Sequence, residues 1–164
     1  HHPGIVRLTR HPVLLALALW VGGWSGLALF AYQAFVAVWQ LELVNYVEHY
    51  GLKRHKLDTG RYERCQPHHS WNTNHTYSNL LSFHLQRHSD HHAFPQRPYQ
   101  VLRDFDDVPS LPTGYPGCFA LAFIPPLWFK VMDKKVMEWA GGDLNNANVD
   151  PKAKARLERV WGTT

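Results

Sequence analysis

The sequence predicts an all-α integral membrane protein: a transmembrane helical bundle with a cytoplasmic helical cap that carries a histidine-rich metal site. Three observations predict this class. Residues 13–39 carry no charged side chain, and a stretch of roughly 20 apolar residues is enough to cross a bilayer. The chain has 7 Trp, 7 Tyr and 8 Phe, aromatic residues that are enriched at membrane interfaces. It also has 12 His, the side chain most often used as a metal ligand.

Composition excludes several other classes. The length of 164 residues fits one domain, and 17 Lys and Arg against 13 Asp and Glu are too few and too scattered to predict a nucleic-acid partner. Cys65 and Cys118 form no C-x-x-C pair, which argues against a disulfide scaffold or a thiolate metal site. The chain begins HHPG, without an initiator Met. We therefore expect it to be part of a longer chain.

The apolar stretch is predicted to form a hairpin, with one tilted span as the alternative. Glycines within 22–26 weaken a helix and allow a turn. Arg7 and Arg10 precede the stretch, and the basic run KRHK follows it at 53–56. Basic flanks stay on the cytoplasmic side, and only a hairpin places both of them there.

The second leg of this hairpin is predicted over residues 27–50, where it continues past the apolar run as LELVNYVEHYG. Glu42, Asn45 and His49 follow each other at i, i+3 and i+7 and share one helical face. An ionisable group so deep in a membrane helix usually faces the bundle interior or a functional cavity, although Glu42 at the interface, paired with a neighbouring donor, is an alternative. Gly51 is a natural helix C-cap.

Beyond the membrane segment, predicted over 1–52, residues 53–164 are expected to form the cap, and the two parts together form the C-terminal portion of one larger domain. Residues 53–70 are predicted to form a polar loop in which His68 and His69 are a solvated pair, with a role as ligands as the alternative. A helix is predicted over 74–92, capped by Asn72 or Asn74. One face of this helix is apolar at its start and rich in imidazole at its end. The residues predicted on this face are Tyr77, Leu81, His84, His88, His91 and His92.

The C-terminal third is predicted to contain no further span. Residues 118–129 are apolar, but Pro125 and Pro126 interrupt them, and the run is too short to cross a bilayer. A buried or membrane-surface segment fits this pattern better. The sequence KAKARLERV, which starts at Lys152, predicts a short amphipathic helix.

Three histidines of LQRHSDHH indicate a metal site. His88, His91 and His92 lie at i, i+3 and i+4, so a helix projects them from the same face. Crowded imidazoles would repel each other when protonated, and a bound metal ion removes that conflict. Asp90 is placed to accept a hydrogen bond from an imidazole N–H. Imidazole ligands suit Zn, Cu, Fe or Ni, and a solvated turn without metal is the alternative.

Five stretches resemble the membrane-bound alkane 1-monooxygenases, and together they extend from about residue 42 to residue 151. They are NYVEHYGL at 45–52, LQRHSDHH at 85–92, RPYQVLRDFDDVPSLPTGY at 97–115, PPLWFKVMD at 125–133 and GGDLNNANVDP at 141–151. These motifs are long and distinctive.

The resemblance implies a non-haem di-iron enzyme of the bacterial inner membrane, multi-pass, with its active site on the cytoplasmic side. Such enzymes insert one atom of dioxygen into the terminal methyl group of a medium- or long-chain alkane, with electrons from rubredoxin. The implied iron ligands are His49, His88, His91 and His92, with no separate catalytic residue. Residues expected to support them are Glu42, Asn45, Glu48 and Asp90, and His84 is expected to line the pocket.

The family's first two histidine boxes are absent from this sequence, so we expect other residues to supply the remaining iron ligands. Two alternatives stay open: a related hydroxylase of methyl-arenes or fatty-acyl chains, and a non-catalytic membrane protein that binds metal. Residues 53–56 with Arg61 are a candidate docking surface for acidic rubredoxin, although anchoring at the cytoplasmic surface explains these charges as well.

Overall fold

The computed structural model describes residues 12–162, and within them it contains helices and turns but no β-strand. This confirms the predicted helical class. The α-helices are α1 (Pro12–His49), α2 (Thr76–Leu81), α3 (His88–Ala93), α4 (Tyr115–Ala122), α5 (Pro125–Trp139) and α6 (Lys154–Trp161). Three short 3₁₀ turns cover Pro67–His69, Tyr99–Val101 and Leu144–Asn146. The chain divides into two compact units, the first ending at Asn45 and the second beginning at Tyr46.

The first unit consists of most of α1, which is long and apolar enough to cross a membrane. Many large apolar side chains of this helix are exposed, with Trp20 83% and Trp24 79% exposed. A helix that is hydrophobic all round needs a core or a bilayer around it. Within residues 12–162 no packed core surrounds these side chains, and a bilayer is an environment that suits them.

A sharp bend interrupts α1 at Gly23, whose φ of 57° and ψ of −153° are not helical. A Cβ atom on Gly26 would lie 2.6 Å from the carbonyl oxygen of Ala18. Residues eight apart in a straight α-helix are separated by about 12 Å along its axis, so the chain turns back strongly at this point. The membrane hairpin itself stays a prediction, and its first basic flank, Arg7 and Arg10, lies outside the described residues.

The second unit begins with the last turn of α1, and Gly51 ends that helix as predicted. Its φ of 69° lies in the left-handed region, where glycine is the favoured residue at a helix C-terminus. The N–H of Leu52 donates to the carbonyl of His49 at 3.3 Å. The predicted boundary between a membrane part and a cap after residue 52 stays a prediction.

The single helix predicted over 74–92 is wrong. The structure has α2 and α3 instead, and between them Phe83 and His84 adopt positive φ values of 51° and 58°. Tertiary contacts explain the break, because Gln86 is fully buried and its Nε2 donates to the carbonyl of His75 at 2.8 Å. The carbonyl of Gln86 also accepts from the N–H of Thr73 at 3.1 Å. A continuous helix would lose these contacts.

The predicted caps are also assigned differently. The side-chain oxygen of Asn72 accepts from the N–H of Ser89 at 2.9 Å, so Asn72 satisfies a free donor in the first turn of α3 rather than of α2. The side-chain oxygen of Asn74 accepts from Nε of Arg87 at 3.1 Å. Both asparagines therefore tie the loop before α2 to the region around α3.

The core of the second unit lies against α4 and α5. Its largest fully buried side chains include Trp71, Trp128 and Met132. Two prolines occupy the first positions of α5, where proline is favoured because its missing N–H has no helical partner. The prolines thus separate α4 from α5, and the amphipathic helix predicted near the C-terminus is confirmed as α6.

Candidate metal centre

Three of the four predicted metal ligands converge in the second unit. His49 comes from the last position of α1, and His88 and His92 come from α3. One ligand atom from each of the three rings lies within 4.8 Å of the others. The ring centroids of His88 and His92 are 4.2 Å apart, and that of His49 lies 5.2 Å from His88 and 5.1 Å from His92. These three rings can face one small volume.

His91, the fourth predicted ligand, lies beside this group rather than in it. Its ring centroid is 5.8 Å from those of His88 and His92. Its role as a ligand stays a prediction.

Unpartnered nitrogen atoms mark the site. Both ring nitrogens of His88 and Nε2 of His92 are buried without a hydrogen-bond partner, whereas buried polar atoms in native proteins are nearly always paired. Burial, followed by the positive charge of neighbouring histidines, lowers the pKa of His88 to about 2 and that of His92 to about 4. Both rings are therefore neutral at neutral pH, and each has one ring nitrogen with a lone pair that can bind a cation.

The tautomer of His49 is fixed by a backbone contact. Its Nδ1 lies 3.2 Å from the carbonyl oxygen of His69. A carbonyl oxygen only accepts, so Nδ1 must carry the hydrogen, and the lone pair is left on Nε2. Metal-binding histidines are commonly oriented by such a bond from the other ring nitrogen.

Glu48 has a buried carboxyl group in contact with the site. It is 1% exposed, and its Oε2 lies 3.0 Å from Nε2 of His88, although that nitrogen makes no aligned hydrogen bond. The other oxygen of Glu48 accepts from the hydroxyl of Tyr115. Glu48 therefore lies beside His88, one of the predicted ligands, and its supporting role stays a prediction. Tyr115, which lies in the PTGY motif, had not been predicted to take part.

Asp90 does not take the predicted position beside an imidazole N–H. It is fully buried, and its carboxylate accepts from Nη1 of Arg97 at 2.8 and 2.5 Å and from Nη2 of Arg103 at 2.9 Å. Burial alone raises the pKa of Asp90, but the hydrogen bonds from Arg103 and Arg97 outweigh it and leave the pKa below its usual value. Asp90 instead anchors the loop after α3.

Three predicted residues remain, namely Glu42, Asn45 and His84. Glu42 and Asn45 belong to the first unit, and their support of the site stays a prediction. His84 was expected to share a helical face with the histidine box, which is wrong, because it lies in the left-handed turn between α2 and α3. Its ring stacks on Tyr99, with centroids 6.4 Å apart.

His69 was predicted to be solvated with His68, and this is wrong for His69, which is only 4% exposed. His68 is exposed, as expected. Glu63, His68 and His69 also offer ligand atoms within 4.8 Å of one another. The large apolar Trp71, two residues after His69, could have indicated that this part of the loop is buried, and it is 2% exposed.

The donor set of the first group fits an iron ion. Two nitrogens bound to one ion at about 2.1 Å lie roughly 3–4 Å apart, and the ligand atoms of the three rings lie within 4.8 Å of one another. Neutral imidazoles suit iron as well as zinc, copper or nickel. The orphaned nitrogens of His88 and His92 are the observation that such an ion explains.

Comparison with known proteins decides the family. The fatty acid desaturase family matches residues 3–125, about three quarters of the chain. The chain belongs to this family. Within the desaturase family, the predicted resemblance to alkane 1-monooxygenases is confirmed by several curated relatives.

The alkane 1-monooxygenase of Ectopseudomonas oleovorans is 51% identical over 162 residues, which cover 99% of this chain and 39% of the relative. Alkane 1-monooxygenase 1 of Alcanivorax borkumensis is 59% identical, with 76% of this chain and 31% of the relative covered. The xylene/toluene monooxygenase hydroxylase component of Pseudomonas putida is 36% identical, with 60% of this chain and 26% of the relative covered. The chain thus spans about two fifths or less of the length of these relatives.

Proposed function

We propose that this chain supplies part of the iron site of a membrane-bound alkane 1-monooxygenase, which converts medium- or long-chain alkanes to primary alcohols with dioxygen. The observation that carries the proposal is the convergence of His49, His88 and His92 with unpartnered nitrogens. The relatives named alkane 1-monooxygenase, at 51–59% identity, support the reaction class.

In this proposal His49, His88 and His92 hold one iron ion, and His91 contributes to a second. The remaining ligands come from the part of the relatives that this chain does not span. Bound iron would supply the redox chemistry that activates dioxygen. The protein supplies the ligands, excludes water and orients the substrate.

The protein's own part in the reaction follows from burial and hydrogen bonding. His88 is 6% exposed and Glu48 1%, so water is largely excluded from the side of the site that they form. Tyr115 donates to Glu48 and thereby holds its carboxyl group beside His88. The contact of His49 with the carbonyl of His69 keeps its Nε2 lone pair available.

The proposal places the protein in the bacterial inner membrane, as a multi-pass helical bundle with its iron site in a cytoplasmic cap. The apolar, exposed surface of α1 supports the membrane part. An alkane dissolves in the hydrocarbon layer rather than in water, so the bilayer is the natural source of the substrate.

Rubredoxin is the proposed electron donor, and the basic loop 53–61 is its proposed docking surface. Lys56 and Arg61 are exposed in this loop. Lys53 donates to the carbonyl of Asn145 at 2.5 Å, and Arg54 donates to the carbonyl of Glu63. The charges of Lys53 and Arg54 are therefore held in place, which favours an acidic partner with a defined orientation.

A chimeric enzyme tests the reaction. This chain would replace the matching segment of the Ectopseudomonas oleovorans alkane 1-monooxygenase and be assayed in membranes with rubredoxin, its reductase and NADH. We expect octane to give 1-octanol, His88→Ala to abolish the product, and the control His68→Ala to retain it.

Two results would contradict the proposal. Oxidation of p-xylene with no oxidation of octane would favour a methyl-arene hydroxylase, the second candidate, which the xylene/toluene monooxygenase relative supports. No turnover by a chimera that inserts and binds iron would favour a metal-binding protein without activity.

A further inference from the structure

The 3₁₀ turn Pro67–His69 and the residues after it are tied to the end of α1. The ring of His49 donates to the carbonyl of His69 at 3.2 Å. Two residues on, the backbone N–H of Trp71 donates to the carbonyl of Glu48 at 2.8 Å, and its indole N–H donates to the carbonyl of Tyr50 at 2.7 Å. The carbonyl that sets the tautomer of His49 therefore belongs to a segment held against α1 by three hydrogen bonds.

The side chain of His69 closes this turn on itself. The N–H of Gln66 donates to Nδ1 of His69 at 2.9 Å, and the N–H of His69 donates to the carbonyl of Gln66 at 3.0 Å. Because Nδ1 accepts, the ring is neutral and carries its hydrogen on Nε2. Its 4% exposure leaves little room for another rotamer.

We propose that His69 is a positioning residue for His49: its ring locks the turn whose carbonyl holds His49 with Nε2 directed to the metal. The inference rests on the proposed metal centre. Metal-binding histidines depend on the group that accepts their second N–H, and changes to such groups commonly cost about 10- to 100-fold in metal affinity.

The neighbouring group Glu63, His68 and His69 offers a competing interpretation, a second metal site. Nε2 of His69 lies 3.1 Å from Oε1 of Glu63, within reach of a shared ion. However, ligation through Nε2 would require the hydrogen on Nδ1, where the N–H of Gln66 already donates. The two N–H groups would then face each other, so the geometry favours positioning over ligation.

Three variants of the full chain in detergent separate these interpretations. His69→Ala removes the acceptor on the ring but keeps the backbone carbonyl. His69→Asn keeps an acceptor at the place of Nδ1 and has no equivalent of Nε2, so it can support the turn but cannot bind an ion there. His68→Ala is the matched control, since it removes an exposed imidazole from the same turn.

Two measurements follow these variants. Nitrogen NMR of ¹⁵N-histidine-labelled, metal-free protein reports the tautomer of His49, and titration with Co²⁺ reports affinity and coordination through visible absorption. We expect His49 to carry its hydrogen on Nδ1 in the unmodified chain and in His69→Asn, and to lose this preference in His69→Ala. Co²⁺ affinity should fall by about 10-fold or more in His69→Ala and return to within a few-fold in His69→Asn.

The outcomes distinguish the inference from the metal centre on which it rests. Co²⁺ binding that does not depend on His49 or His88 would overturn the metal centre, whereas the tautomer of His49 is measured without metal. The inference itself is overturned if His49 carries its hydrogen on Nε2, if His69→Ala binds Co²⁺ normally, or if His69→Asn is as weak as His69→Ala. Loss of a second Co²⁺ equivalent in His68→Ala or His69→Asn would instead identify a second metal site.

Discussion

Gly51, the residue after the His49–Tyr50 pair, should tolerate no side chain, and the structure provides two separate reasons. Its φ is 69°, and a Cβ atom there would lie 2.5 Å from Cγ2 and 2.9 Å from Cγ1 of Val136. A left-handed conformation costs an L-residue about 1–2 kcal/mol, and overpacking a filled core costs about 1–3 kcal/mol more. Gly51→Ala is therefore expected to destabilise the protein by about 3 kcal/mol.

Thermal unfolding of the full chain in detergent, followed by circular dichroism, measures this cost. A loss of about 3 kcal/mol in a domain of this size lowers Tm by roughly 6–12 °C. Gly60→Ala is the matched control, because Gly60 has a φ of 78° but no atom within 4 Å of the added Cβ. It should show only the conformational cost, about 1–2 kcal/mol.

The double variant Gly51→Ala/Val136→Ala isolates the steric contribution. In the Val136→Ala background the clash is relieved, so Gly51→Ala should cost only the conformational part, about 1–2 kcal/mol. Equal costs of Gly51→Ala in both backgrounds, or a Gly51→Ala protein as stable as the unmodified one, would refute the reasoning.

Two further predictions concern residues of α3. Asp90→Ala leaves Arg97 and Arg103 without their shared buried carboxylate and should cost about 3 kcal/mol, a loss that chemical unfolding measures. Arg103→Ala should cost less, because Arg97 still pairs with Asp90, and a larger cost for Arg103→Ala would contradict this. The pKa values of His88 and His92 are lower in the folded state than the ordinary value of 6.5, so the unfolded chain binds more protons below about pH 6.5. The metal-free protein should therefore lose stability as the pH falls from about 6.5 towards 4, and a stability that is constant or rises over this range would contradict the burial of these rings.

Local spacing predicted the part of the site that lies on one helical turn. His88 and His92 are four residues apart, and a single turn of α3 is enough to bring them together. The sequence also predicted that His49 lies at the end of an apolar helix, because Gly51 marks the C-terminus of that helix. What brings His49 to the other two rings is the tertiary fold of the second unit, and only the family resemblance indicated it.

The errors share one cause, which is that distant contacts outweigh local pattern. Asp90 lies between His88 and His91 in sequence, but Arg97 and Arg103 take its carboxylate because the loop after α3 folds back. His84 has helical spacing to His88, yet the buried Gln86 interrupts the helix between them. Neither partner can be identified from periodicity.

Supporting residues were missed for the same reason. The hydrogen bond between Tyr115 and Glu48 joins residues 67 positions apart in sequence. The one between His49 and the carbonyl of His69 joins residues 20 positions apart. Burial of a polar side chain next to a ligand becomes visible only when the fold is known. The motifs that carried the family resemblance contain Tyr115 but give no indication of its contact.

The iron content of the purified chimeric enzyme tests the central claim most directly. Elemental analysis should find two iron ions per assembled polypeptide, and His88→Ala should lose iron while the exposed His68→Ala retains it. Stoichiometric zinc in place of iron, with no rubredoxin-dependent turnover, or iron retained in full by His88→Ala, would contradict the account.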